Sequence, residues 1–206
     1  MKGHRLMHKT VYAIVVFSLT AQILNACSET SVEPGLELPP FDTNESGTFI
    51  DTRDGRTYSS VEIGAQVWMA ENLAYQTDSE SWCYGDDLQR CEEFGRLYSW
   101  GAATTACPTG WRLPSESDWN VLEAELTPDA GLKLREGGSS GFEAKMAGVR
   151  HYDGGYAAIG GMTSFWTSTP YTDDHAAIRL LATDTSEIIH NGLGHEGGIS
   201  VRCLSN

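Results

Sequence analysis

GRLYSWGAATTACPTGWRLPSESDWNVLEAEL, residues 95–126, decides how this chain folds. Leu97, Trp100 and Thr104 fall on one face of a predicted helix, with Gly101 and Cys107 beside them and Cys107 at its close. Pro108-Thr109-Gly110 turns the chain, and Trp111-Arg112-Leu113 is a short extended link. Pro114 then precedes Ser115, whose spacing to Asp118 fits a capping box, the arrangement that satisfies free N–H groups at a helix start. Trp119, Leu122 and Leu126 repeat at i, i+3 and i+7, so a second, amphipathic helix runs from here until Pro128 ends it. The tryptophans read as core anchors rather than ligand platforms.

Upstream, TYSSVEI and VWMAENL flank Gly64-Ala65-Gln66. Val61 and Ile63 alternate with Glu62, and Val67 and Met69 with Trp68, which predicts a hairpin in a domain that begins near Thr48. The polar DSESWCYGDDLQRCEEF is expected to loop out. Residues 28–47 hold five acidic side chains, three prolines and no Lys or Arg, too little apolar surface to order themselves. They read as a tether reaching ~60 Å if extended. Before it, Lys2, Arg5 and Lys9 lead into an apolar run from Val11 to Leu24, about 14 residues where a membrane-spanning helix needs roughly 20. That is the form of a secretion signal. It ends in Leu24-Asn25-Ala26-Cys27, which resembles a lipobox, so residues 1–26 are expected to be removed and Cys27 lipidated. The predicted organisation is therefore 1–26 signal peptide, 27–47 lipidated cysteine and tether, and 48–206 domain.

Removal of residues 1–26 takes three of 14 basic residues and none of 28 acidic ones, leaving 11 against 28 and a formal net charge of −17. Such a chain repels nucleic acid and anionic membrane surfaces, so membrane contact is expected through the lipid anchor only.

Downstream of Gly131 the period shortens. Phe142, Ala144 and Met146 alternate, Asp153-Gly154 is a hairpin signal, and 164–168, 176–181 and 187–190 read as strands. Ile199, Val201 and Cys203 share one face of a last strand. Two helices and a mostly later antiparallel sheet make an α+β domain.

Four cysteines remain beside Cys27: Cys83, Cys91, Cys107 and Cys203. An even number in an exported chain implies disulfides, with three pairings open. Cys83 and Cys91 flank only YGDDLQR and can pair locally, which leaves Cys107 for Cys203. A zinc site is the alternative, but its ligands would want closer pairs.

IGAQVWMAENLAY, GRLYSWGAATTACPTGWRLPSESDW, FWTSTPY and the closing SVRC together resemble the Fibrobacter succinogenes major paralogous (FISUMP) domain, over roughly Thr48 to Asn206. Members of that family are typically exported and often lipidated. More distantly, the order helix, RLPSESDW, helix, then Gly/Trp-rich strands is similar to the formylglycine-generating, C-type-lectin-like fold. That likeness implies a disulfide from first helix to last strand, which here is Cys107–Cys203.

The formylglycine-generating oxidase needs a cysteine pair near its C-terminal end for copper, whereas this chain has Cys203 alone there. No G-x-S-x-G elbow accompanies any Ser/His/Asp set. His190 and His195 with Glu196 are a weak metal candidate, read in preference as solvated loop. Asp86-Asp87 and Asp173-Asp174 are weak Ca²⁺ candidates. The chain is expected to be non-enzymatic and without a cofactor, Ca²⁺ being the one considered. Instead, a long loop from Trp166 to His175 would carry Tyr171, Asp173, Asp174 and His175 as a ligand-binding group. The His151-Tyr152-Asp153 turn and Tyr156 form a second aromatic group. Trp166 itself is expected to pack inward. The expected partner is an extracellular glycan or an envelope protein, met from the outer membrane or cell surface. The alternatives are a structural or assembly lipoprotein, and a divergent oxidase or hydrolase.

Overall fold

A computed structural model describes residues 47–206. The predicted signal, Cys27 and the tether up to residue 46 lie outside the described residues.

β1 (Thr48–Ile50), β2 (Thr57–Ile63) and β3 (Gln66–Met69) form a meander. Ile63 pairs with Gln66 across Gly64-Ala65, and Gly64 at φ 62° supplies the positive φ that a two-residue hairpin turn demands. β2 alternates as expected, Val61 and Ile63 being buried and Glu62 exposed. β3 does not: Trp68 and Met69 are both buried, each in a different core cluster, because the strand is covered on both faces.

The segment expected to loop out is folded. It contains β4 (Ser81–Trp82), a 3₁₀ turn (Tyr84–Asp86) and α1 (Leu88–Phe94). Asp87 caps α1 by accepting from the Gln89 N–H. Cys91 is the helix's one buried residue, so no apolar period advertises it. Leu97 also departs from expectation, since it belongs to β5 (Leu97–Tyr98), not to a helix. α2 (Trp100–Ala106) starts after Ser99, whose hydroxyl accepts from the Ala102 N–H. Its buried face is Ala103 and Ala106, and Thr104 faces solvent.

β6 (Trp111–Arg112) leads into α3 (Glu116–Leu126), where the predicted capping box is present and Trp119, Leu122 and Leu126 form the buried face. α4 (Ala130–Leu134) follows where only extended chain was expected. Phe142 and Ala144 are buried, but this stretch makes a single bridge, Ala144 to Arg135, and no strand. The later strands are β7 (Val149–Arg150), β8 (Tyr156–Ala157), β9 (Met162–Pro170), β10 (His175–Ala182), β11 (Ile189–Gly194), β12 (Ile199–Ser200) and β13 (Leu204–Ser205).

These strands build a five-stranded sheet ordered β1-β2-β3-β13-β6, a six-stranded sheet ordered β11-β10-β9-β12-β5-β4, and the β7-β8 ribbon. The pairings between them are antiparallel except β9 with β12. The domain is α+β, with four short α-helices among the described residues rather than two.

Disulfides join Cys83 to Cys91 and Cys107 to Cys203, with Cα–Cα separations of 4.9 and 5.8 Å. The second ties the end of α2 to the residues between β12 and β13.

One core cluster centres on Trp68, Trp119, Phe142 and Phe165, with Trp119 centroids 5.0 Å from Trp68 and 5.4 Å from Phe165. The other gathers Tyr58, Met69, Tyr98, Trp166, Ile199, Val201 and Cys203. Ile199, Val201 and Cys203 are buried as expected, but so are Ser200 and Arg202 between them and Leu204 after them. The Arg202 guanidinium lies 4.4 Å from the Phe142 ring centroid and donates to Asn72 Oδ1 and to the carbonyls of Met69, Phe142 and Glu143. Burial pulls it down to about 9, and it keeps its proton at neutral pH.

Candidate functional site

Three turns of the second half meet at one place. They are 151–155 between β7 and β8, 171–174 between β9 and β10, and 195–198 between β11 and β12. Backbone bonds lock them together. Arg150 and Gly198 exchange N–H···O bonds of 2.8 Å, and the His195 N–H donates to the Asp174 carbonyl at 3.1 Å. A side chain at Gly198 would meet Arg150 Cβ at 2.9 Å and the Trp82 ring at 3.2 Å, so only glycine permits this approach.

Two tryptophans brace the turns from behind. Trp100 stacks on His195, centroids 4.3 Å apart, donates its backbone N–H to the His195 carbonyl at 3.0 Å, and donates Nε1 to the Thr167 carbonyl at 2.8 Å. Trp82 lies beneath Arg150, whose guanidinium carbon is 4.0 Å from the ring centroid.

Between the turns lies a cleft of ≈ 520 Å³ walled by Arg150, His151, Tyr152, Asp173, Asp174, His175, His195 and Glu196, with Val149, Leu193 and two glycines completing it. Tyr152 is 78% exposed. Asp174 Oδ1 holds His175 Nδ1 at 2.7 Å and accepts from the Thr172 hydroxyl at 2.8 Å. The bond to His175, then that to Thr172, keeps the Asp174 carboxyl below the ordinary aspartate range. His195 Nε2 and Arg150 Nε are buried without a hydrogen-bond partner in the protein, an unmet demand at the cleft wall.

Asp173, Asp174 and His175 thus come together as a group. The long loop expected to carry them does not exist, because β9 continues to Pro170 and leaves a turn of four residues. Tyr171 is 61% exposed but stands beside the cleft, not in its wall. Trp166 is buried and donates to the Tyr98 carbonyl.

His190 and His195 do not converge. His190 Nε2 lies 2.7 Å from Glu123 Oε2 on α3, at the other end of β11. Asp87 is occupied as the α1 cap, and Asp86 accepts from the Tyr156 hydroxyl at 2.7 Å. Burial and then that bond raise the Tyr156 hydroxyl above its usual pKa. Among the described residues no three His, Cys, Asp or Glu side chains are placed to share a metal ion.

No sequence signal assigns Arg150 to the site, and His195 and Glu196 read from sequence only as a metal candidate. The Asp153-Gly154 signal located its hairpin correctly, but nothing periodic links residues 151, 174 and 195.

The Fibrobacter succinogenes major domain (Fib_succ_major) profile matches residues 61–205, and the chain belongs to that family. Comparison with curated proteins and with solved structures gives no significant match.

Proposed function

We propose that this protein is a non-enzymatic binding module, lipid-anchored at Cys27 on the outer membrane or cell surface, whose three-turn cleft binds an extracellular glycan. The cleft carries the reading: an exposed aromatic ring, carboxylates and imidazoles converge there on bonded, rigid turns. Sugars are recognised by such a pairing of an apolar ring face with a few fixed polar groups. The α2-to-C-terminal disulfide supports a C-type-lectin-like relationship. The same bond occupies Cys203, the cysteine that copper chemistry of the formylglycine-generating type would need free. Asp174, one of the Ca²⁺ candidates, is already held by His175 and Thr172, so binding is proposed to proceed without a metal.

A glycan array probed with residues 27–206 tests the cleft, with Tyr152→Ala as the control expected to lose the signal. An empty array, with one constant protein partner trapped by cross-linking in whole cells, would replace this reading with an assembly role in the envelope. Labelling with a fatty-acid analogue tests the anchor, which Cys27→Ser is expected to abolish.

A further inference from the structure

β11 has an unusual face beside the cleft. Gly192 and Gly194 lie on the same side of the strand, since successive side chains of a strand alternate. A Cβ at Gly192 would fall 2.3 Å from Tyr171 Cδ1 and within 2.8 Å of two further ring atoms. The Tyr171 ring is therefore seated directly on the backbone of Gly192, while the residue remains 61% exposed. Two residues on, His175 Nε2 lies 3.9 Å from the corresponding point on Gly194. The two glycines form a floor under two rings that the strand rise sets about 7 Å apart. Asn191 holds the strand at this point, its Oδ1 accepting from the Gly192 N–H at 2.8 Å.

A ring with one face fixed on backbone and the other open loses little entropy when a ligand stacks on it. His175 also walls the cleft, so the platform and the cleft are continuous. We infer that Tyr171, seated on Gly192, is an outlying subsite, and that the ligand is an oligosaccharide chain running from it over His175 into the cleft. This rests on the glycan reading and deepens it. The chain is uncharged, because Asp173, Asp174 and Glu196 rim the cleft against one cation, Arg150, which lies on Trp82.

Calorimetric titration with soluble neutral gluco-, xylo-, manno- and chito-oligosaccharides of one to six units tests this, with oligogalacturonates as the anionic comparison. For the wild-type protein, affinity for one neutral series is expected to rise with length, by between about threefold and tenfold at the step that reaches Tyr171. Tyr171→Ala is expected to remove that step and leave the shortest binding oligomer unaffected. Gly192→Ala keeps the tyrosine but displaces its ring, and is expected to remove the same step; thermal unfolding verifies that the variant is folded. Binding that grows with length but ignores both substitutions overturns the inference and leaves the glycan reading standing. Preference for the galacturonates overturns the uncharged chain. No binding by any series overturns both.

Discussion

Asp118 and Ser115 satisfy each other at the start of α3. Asp118 Oδ2 accepts from the Ser115 N–H at 2.7 Å and from its hydroxyl at 2.6 Å, while the Asp118 N–H donates back to Ser115 Oγ at 3.2 Å. Arg112 completes the knot with two bonds of 2.6 and 2.8 Å, which ties β6 to the helix. Asp118→Asn is expected to cost about 1–2 kcal/mol of stability in urea unfolding.

The same carboxylate carries a pH signature. Hydrogen bonding from Arg112, then from Ser115, outweighs burial and lowers Asp118 to about 2 from an ordinary 3.8. A lowered folded pKa means stabilisation complete above the unfolded value and lost as pH falls through the folded one. The wild-type advantage over Asp118→Asn should therefore be flat above pH ~5 and shrink between ~4 and ~2. An advantage unchanged at pH 2 would disprove the assignment.

At the cleft, Asp174 is held below the usual range by His175 and Thr172. Carbon-detected NMR titration should place its carboxyl below the ordinary aspartate value. His175→Ala should move it back upward, since the largest contribution is then absent.

The disulfides should differ in weight. They close loops of 8 and 96 residues, for which chain entropy gives ~2.5 and ~4.7 kcal/mol. The double serine variant at 83 and 91 is expected to unfold well above the urea midpoint of the double variant at 107 and 203. The reverse order would show that α1 depends on its staple more than the core depends on its own.

Arg202 is a fork that a lysine cannot imitate. Its donors serve one side-chain amide and three carbonyls drawn from two distant stretches, 69–72 and 142–143. Arg202→Lys retains the charge but cannot reach them all, and should be destabilised by ~2–4 kcal/mol. A lysine variant as stable as wild type would mean that charge alone suffices.

Local chemistry was legible in the sequence where one side chain and its near neighbours decide the outcome. The Ser115–Asp118 cap, the Trp119–Leu122–Leu126 face, the Gly64-Ala65 hairpin and the local Cys83–Cys91 bond are of this kind. Periodicity failed where burial is two-sided: Trp68 with Met69, and the run from Ile199 to Leu204, show no alternation because both faces meet a core. It failed again for α1 and α4, which are too short to display a period. The cleft was legible only in pieces. Asp173, Asp174 and His175 are adjacent in the chain, but their neighbours Arg150 and His195 arrive through backbone bonds between distant turns.

The position of β13 has a consequence for the order of assembly. Leu204 pairs with Trp68 on one side and with Arg112 on the other, so residues 204–205 sit inside a sheet whose other strands come from residues 48–112. Until residue 205 has left the ribosome, β3 and β6 have no strand between them, and Cys107 has no Cys203 to oxidise with. The centre of this sheet cannot therefore close strand by strand during synthesis: its long-range contacts form late and together, after residue 205 has emerged. A chain that stops before Cys203 should therefore leave β3 and β6 unjoined and Cys107 reduced, however long it is given to fold.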